Sequence, residues 1–378
     1  MKVLHVNTER TWRGGEQQVL YLAKGLAARG VEQEILCQQN SVLAARARDA
    51  GLLVWERRLH GEVDLPSMRA MADRLREGRF DLIHMHTSHA HTLGLVAARL
   101  AGRRRPGDRP ATLVSRRVDF SIRKRRLLDF SHLKYTWGLD RIVCVSEMIR
   151  AVLLRDGLPP ELVGVVHSGV DVARLQGAPD RRADYRREFG VPAGAPLVAT
   201  VGHCAEHKGQ RFLVAAAPAV LERFPEARIL VVGEGELLPD LKEQARALHV
   251  EGRVLFPGFR TDVPALLRAF DLFVFPSHLE GLGTSVLDAL AVGLPVVATT
   301  AGGIPEMITD GVHGRLVPPR DPAALAAAMI ELLEQPERAR QMGEAGRARV
   351  MAEFTAERMV EKTLLEYERL AGARVGAA

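Results

Sequence analysis

Along the first half of the chain, short aliphatic and β-branched runs alternate with stretches whose apolar positions recur every three or four residues. KVLHVN, EQEILC, DLIHMH, ATLVS and RIVCVS read as strands. Between them lie helical patterns such as EQQVLYLAKGLAARG, with apolar Val19, Leu20, Leu22, Ala23 and Leu26. Strands that are apolar at nearly every position and alternate with helices form a parallel sheet covered on both faces. The pattern then restarts with PLVATVG, RILVVG, RVLFPG, DLFVFPS and LPVVAT, and the chain closes on a helical stretch, FTAERMVEKTLLEYERLAG.

The predicted fold is α/β, with two Rossmann-like, doubly wound parallel-sheet domains facing across a cleft. A chain of 378 residues suits two domains. The restart in the pattern places their boundary at HSGVD, near Ser168–Asp171. The expected division is 1–168, 169–354, and a final helix, 355–378, crossing back to the first domain. In doubly wound sheets ligands bind at the carboxyl ends of strands, so the chemistry is expected just after each strand.

Composition fits this picture: 47% apolar and 26% charged residues are the proportions of a globular protein. VLHV near the start is too short for a signal-peptide core, and ALAVGLPVVATTAGGI is broken by Pro295 and Gly302-Gly303, so no membrane span is expected. Cys37, Cys144 and Cys204 lie far apart with no CxxC, which fits a reduced, cytoplasmic protein. Charge is uneven. Residues 1–168 carry 28 Lys and Arg against 18 Asp and Glu, and the remainder 24 against 28. The first half is therefore expected to meet an anionic partner.

Several strand ends carry candidate chemistry. NTERTWRGGEQQ ends in Gly14-Gly15, where a helix opens and backbone amides can approach a ligand; a plain strand-to-helix turn reads the same way. HMHTSHAH places His84 and His86 on one strand face and His89 and His91 in the following loop. No adjacent Cys or carboxylate completes a metal set, so no metal is expected; His86, at the strand end, is a candidate for binding a substrate hydroxyl. SRRVDFSIRKRRLL holds six cations from Arg116 to Arg126, either a solvated surface or a surface for an anionic acceptor or membrane. No nucleic-acid-reading motif accompanies them, and no nucleic-acid partner is expected.

In the second half, VGHCAEHKGQ puts Lys208 at a helix start, where an ammonium and backbone amides make a diphosphate clamp. VVGEGE ends a strand in a glycine turn that lets backbone approach a base or ribose. In EGLGTSVLD the helix-start amides of Gly283, Thr284 and Ser285 suit an anion. Asp288 follows Thr284 by one turn, placed to accept ribose hydroxyls, and Glu280 lies in the loop, on the side of a sugar beyond the β-phosphate. The competing reading is a helix cap with Asp288 in a surface ion pair.

The stretch FPSHLEGLGTSVLDALAVGLPVVATTAGGIPEMITDGVHGRLVPPRDPAAL resembles the nucleotide-binding domain of family-4 retaining glycosyltransferases of GT-B fold. The early GG loop, HSGVD, VGHCAEHKG and VVGEG also fit, in the family's order. The resemblance implies transfer of a sugar from a nucleotide diphosphosugar, UDP- or GDP-linked, to a glycan or lipid-linked acceptor with retention, in envelope polysaccharide or lipopolysaccharide synthesis and without a metal cofactor. It implies that Glu280 meets the donor sugar and Asp288 the ribose, where the family usually has Glu. It further implies that Lys208, with Gly281, Gly283, Thr284, Ser285 and the Gly14-Gly15 turn, holds the donor, and that Glu234 and Gly258–Phe259 hold its base. His203 stands where the family often has Arg. The cleft histidine many members carry after the fifth strand is absent, and Arg117 or Asp119 takes its place on the acceptor side. With His86, the expected catalytic set is Glu280, Lys208 and His86. A nucleotide-sugar epimerase or hydrolase of the same architecture is the alternative. The enzyme is expected in the cytoplasm, attached peripherally to the inner membrane face.

Overall fold

The structure is a computed structural model that describes residues 1–102, 109–122 and 131–375. Arg123–Arg126, the centre of the basic segment, lie outside the described residues. The chain divides into two units, one comprising residues 1–169 with the chain from Ala356 onward, the other Val170–Thr355.

Unit 1 is built on a seven-stranded parallel sheet of β1 (Lys2–Asn7), β2 (Glu32–Gln38), β3 (Val54–Arg57), β4 (Leu82–Met85), β5 (Ala111–Arg116), β6 (Arg141–Cys144) and β7 (Val163–Val165), in the order β3-β2-β1-β4-β5-β6-β7. The order reverses beside β1, so loops after β1 and β4 diverge to opposite faces, the place where such sheets take ligands. Four helices begin on a side-chain cap: Ser41, Asp64, Thr87 and Ser146 each accept a hydrogen bond from an amide of the first turn. Helix Gly14–Ala27 differs, because its N-cap residue, Arg13, has no side-chain oxygen to offer. His89 and His91, expected in a loop, lie inside helix Ser88–Ala101, whose start Thr87 caps. The closing helix, Ala356–Val375, packs on one face of this sheet with helix Gly14–Ala27, burying Val360 and Tyr367 among Val3, Leu22 and Leu113. A largely buried ion pair, Arg141 to Glu366 at 2.7 Å, fastens the closing helix to β6.

Unit 2 repeats the plan with six parallel strands, β8 (Leu197–Val201), β9 (Arg228–Val232), β10 (Val254–Gly258), β11 (Leu272–Phe275), β12 (Val296–Thr299) and β13 (Arg315–Val317), in the order β10-β9-β8-β11-β12-β13. Its core is aliphatic: Val198, Leu213, Ile229, Val274, Val297 and Met329 are each fully buried. The strand order reverses between β8 and β11, and EGLGTSVLD follows β11 while VGHCAEHKGQ follows β8. Topology therefore makes neighbours of two segments more than seventy residues apart.

Candidate active site

In unit 2 the turn after β8 and the loop after β11 are tied together. Ser277 Oγ donates to the His207 carbonyl at 2.8 Å, and the His278 amide donates to the same oxygen at 2.9 Å. Gly209 is left-handed at φ +67°, and a Cβ there would lie 2.1 Å from the Pro276 carbonyl oxygen, so only glycine lets the turn close onto β11. The closure brings Lys208 Nζ into an ion pair with Glu280 Oε2, both side chains largely buried. The ammonium also stands 5.4 Å from the Phe275 ring centroid. Glu280 is held from its other side by the loop after β12: a Cβ on Gly302 would fall 1.7 Å from the Glu280 carbonyl oxygen.

Helix Thr284–Ala291 starts beside this pair. Its N-cap, Gly283, has φ +96° and no side chain, so its first-turn amides have no capping partner there. An ideal Cβ on Gly283 would lie 3.5 Å from Glu280 Cγ, which places Lys208, Glu280 and the helix start in one cluster. One turn on, Asp288 is half-buried, and its carboxyl is pushed up to about 6, mainly by burial; Arg174 opposes the rise and Asp171 adds to it. At the far edge of the sheet the Gly233 amide donates to the Gly258 carbonyl at 2.9 Å, and Glu234 Oε1 lies 3.7 Å from the Cβ position of Gly258. Phe259 stands 58% exposed beside them, an uncommitted aromatic face for a base. His203 Nε2 lies 3.1 Å from Glu236 Oε2.

In unit 1 the structure gathers residues that the sequence assigned to different roles. Gly15 and Arg117 are adjacent, with Arg117 Cδ 3.8 Å from the Gly15 Cβ position. Burial pulls Arg117 down to about 10, against the favourable charge of Glu16. Glu16 is itself fixed, accepting from Asn7 Nδ2 at 3.2 Å and from the Arg13 amide at 3.0 Å. Asp119 is half-buried in the connection after β5.

His86 is buried, and its Nε2 lies 3.0 Å from His5 Nδ1. His84 hydrogen-bonds Tyr367 Oη at 2.6 Å and Ser115 Oγ at 2.8 Å. Sequence reading missed His5, because its place on the same face as His84 follows only from the β1–β4 register. Burial drives all three imidazoles well below the ordinary histidine range, His5 to about 4, so they are neutral at pH 7. The three rings lie close enough to share a cation. The hydrogen bonds in place engage both nitrogens of His84 and join His5 Nδ1 to His86 Nε2, while His5 Nε2 and His86 Nδ1, both buried, have no hydrogen-bond partner among the described residues.

A parallel sheet in each unit, with a charged turn and an uncapped helix start at the switch point of the second, defines a protein of Rossmann-type architecture. The matching families are more specific. Residues 12–174 match the model of Glycosyltransferase Family 4, and residues 181–349 that of Glycosyl transferases group 1. The chain is 30% identical over 402 residues to 2-deoxystreptamine N-acetyl-D-glucosaminyltransferase of Streptomyces fradiae, covering 97% of this chain and 94% of that protein. It is 25% identical over 285 residues to UDP-Gal:alpha-D-GlcNAc-diphosphoundecaprenol alpha-1,3-galactosyltransferase of Escherichia coli, covering 72% and 71%. The matches to several other relatives span 53% to 56% of those proteins. Among solved structures, Anabaena Alr3699/HepE in complex with UDP-glucose superposes with a TM-score of 0.84 at 22% identity, covering 98% of this chain and 100% of that one, a likeness of fold. The chain belongs to the family 4, group 1 glycosyltransferases and is an enzyme of GT-B fold.

Proposed function

We propose that the enzyme takes a nucleotide diphosphosugar, UDP- or GDP-linked, and transfers the sugar to a hydroxyl of a glycan or lipid-linked acceptor with retention of anomeric configuration. The observation that carries this reading is the Lys208–Glu280 ion pair beside the uncapped start of helix Thr284–Ala291. A cation and free helix amides suit a diphosphate; a carboxylate held against that cation suits the hydroxyls of the sugar attached to it.

The expected course uses one face of the sugar. The bond from C1 to the diphosphate oxygen breaks with its electrons moving to the diphosphate. The acceptor oxygen bonds to C1 from the same side, and its proton passes to the departing diphosphate. Lys208 and the amides of Gly283, Thr284 and Ser285 stabilise the charge that grows on the leaving group, an electrostatic task set up before the reaction begins. Asp288 would hold the ribose, and Glu234 with Gly258–Phe259 the base. No metal is assigned a part. In unit 1, Gly14-Gly15 would offer backbone amides to a phosphate, and Arg117, His86 and Asp119 would serve the acceptor.

The E. coli relative named above acts on a diphosphoundecaprenol-linked acceptor, which supports an envelope role and a lipid-linked acceptor here. Among the described residues no helix is long and apolar enough to cross a membrane. Attachment to the inner membrane face would then be peripheral and electrostatic. The test is incubation of UDP- and GDP-sugars with envelope glycan extracts, followed by NMR of the product's anomeric centre. Retained configuration supports the reading; inversion, or release of free sugar at the same rate without acceptor, overturns it.

A further inference from the structure

Three loops meet at the carboxyl ends of adjacent strands β3, β2 and β1, and between them lies an open depression of about 420 Å³ lined by Arg10, Gln38, Gln39, Asn40 and Arg58. This volume falls within the range of roughly 300–1,000 Å³ common for small-ligand sites. We propose that it is an anion-binding site that takes the phosphate group of a phosphorylated acceptor, with Arg10 and Arg58 as the clamp. The proposal rests on the reading that unit 1 receives the acceptor.

The floor of the depression is fixed by backbone and amide bonds. Gln38 Nε2 donates to the Leu59 carbonyl at 2.9 Å, and Gln38 Oε1 accepts from the Leu59 amide at 2.8 Å. The two bonds lock the chain carrying Arg58 against the end of β2. The Gln39 amide donates to the Arg57 carbonyl at 3.0 Å. Asn40 sits in the left-handed region at φ +58°, and its amide donates to Glu56 at 2.6 Å. Arg10 lies in the loop that leads directly into the Gly14-Gly15 helix start, and its carbonyl accepts from the Val42 amide at 3.4 Å.

The charges are arranged asymmetrically. Nearby arginines are occupied: Arg48 with Glu56, Arg74 with Glu34 at 2.8 Å, Arg57 Nε with Ser67 Oγ at 2.8 Å, and Arg46 over the Trp12 ring at 4.0 Å. No acid lines the depression. Two exposed arginines from loops 48 positions apart in sequence thus line one depression, and neither has an ion-pair partner among the described residues. Each offers a planar fork that matches phosphate oxygens, and charge-assisted bonds of this kind are about twice as strong as neutral ones. Glu56, the nearby carboxylate in this framework, is held below the ordinary range by the Asn40 amide and Arg48 and is turned to those partners.

Arginine side-chain NMR on the full chain tests the site, with Arg10 and Arg58 Nε–H resonances assigned by substitution. Titration with methyl phosphate should shift both resonances along one saturating curve, and Arg58→Gln should weaken the Arg10 response at least tenfold. Lys208→Ala should leave both responses unchanged, so failure of the donor site and failure of this site are read separately. A parallel titration with phosphatidylglycerol bicelles separates a lipid-borne phosphate from a free one, and saturation in either arm supports the site. Shifts that do not saturate in either arm, that follow different curves for the two arginines, or that survive Arg58→Gln would show ordinary surface cations and overturn it.

Discussion

Lys208 and Glu280, 72 positions apart in sequence, meet as an ion pair at the switch point of the second sheet. Each largely buried charge stabilises the other until a diphosphate competes for the ammonium. The two residues should therefore fail differently. Glu280→Ala should remove most turnover, about a hundredfold or more by analogy with the loss of one preorganised electrostatic contact, while nucleoside-diphosphate binding stays near the wild-type value. Lys208→Ala should weaken nucleoside-diphosphate binding and also leave Glu280 without its partner. Steady-state kinetics beside calorimetric titration distinguish the two patterns.

Asp288 sets function against stability. Its folded-state carboxyl lies near 6, above the ordinary 3.8, so the native state keeps a proton that the unfolded chain gives up. The sign follows: stability falls as pH rises from about 4 to about 6 and stays reduced above that. Asp288→Asn removes the half-buried charge and should raise the melting temperature at pH 8 relative to wild type, with little difference near pH 4. The same substitution should weaken donor binding by about 1–3 kcal/mol, because a charged hydrogen-bond acceptor is lost. An unchanged melting temperature with normal donor binding would return Asp288 to a surface role.

The glycine that shapes the Lys208 turn makes a backbone prediction. Gly209→Ala forces a Cβ against the Pro276 carbonyl and a left-handed alanine, so the turn must open. The expected result is a lower melting temperature and loss of nucleoside-diphosphate affinity together. Gly202→Ala, where a Cβ would meet nothing within 4 Å, is the control and should change neither.

The family resemblance sets His203 where an arginine is often found, and in the structure Glu236 faces it at 3.1 Å. His203→Arg should keep or raise donor affinity, because a guanidinium fork matches diphosphate oxygens. Calorimetric titration of the donor into both forms reads the effect. Loss of binding in the arginine variant would mark His203 as a packing residue.

How much of this was legible in the sequence depends on what each residue's neighbours are. The long apolar strands declared themselves, and both sheets follow from them. β3, β7 and β13 did not: VWER is half polar, and VGV and RLV are three residues long, too short to show a period. Local geometry was readable where spacing within one helix decides it, as for Gly283 at the helix start and Asp288 one turn on. Pairings made by strand order were not. Nothing in VGHCAEHKGQ says that Lys208 reaches Glu280, and nothing in KVLHVN says that His5 will touch His86. The loop glycine Gly302 carried a faint signal in AGG, but its function of holding the Glu280 backbone exists only in three dimensions.

The basic segment makes a separate prediction. Each Lys or Arg near an anionic leaflet contributes roughly 1 kcal/mol, screened within a Debye length. The wild type should pellet with phosphatidylglycerol liposomes at low salt and not at high salt, and a variant with Arg123, Lys124, Arg125 and Arg126 changed to Ser should stay in the supernatant. Equal pelleting with neutral liposomes, or none, would leave these cations to the acceptor or to water.

The donor site itself is tested most directly by calorimetric titration of UDP and GDP into the wild type and into Lys208→Ala and Asp288→Ala. Saturable binding of at least one nucleotide is expected, weakened about tenfold or more in each variant, in keeping with the loss of a charged contact. Binding of neither nucleotide, or binding that both substitutions leave unchanged, would contradict the assignment of Lys208 and Asp288 to the nucleotide of the donor.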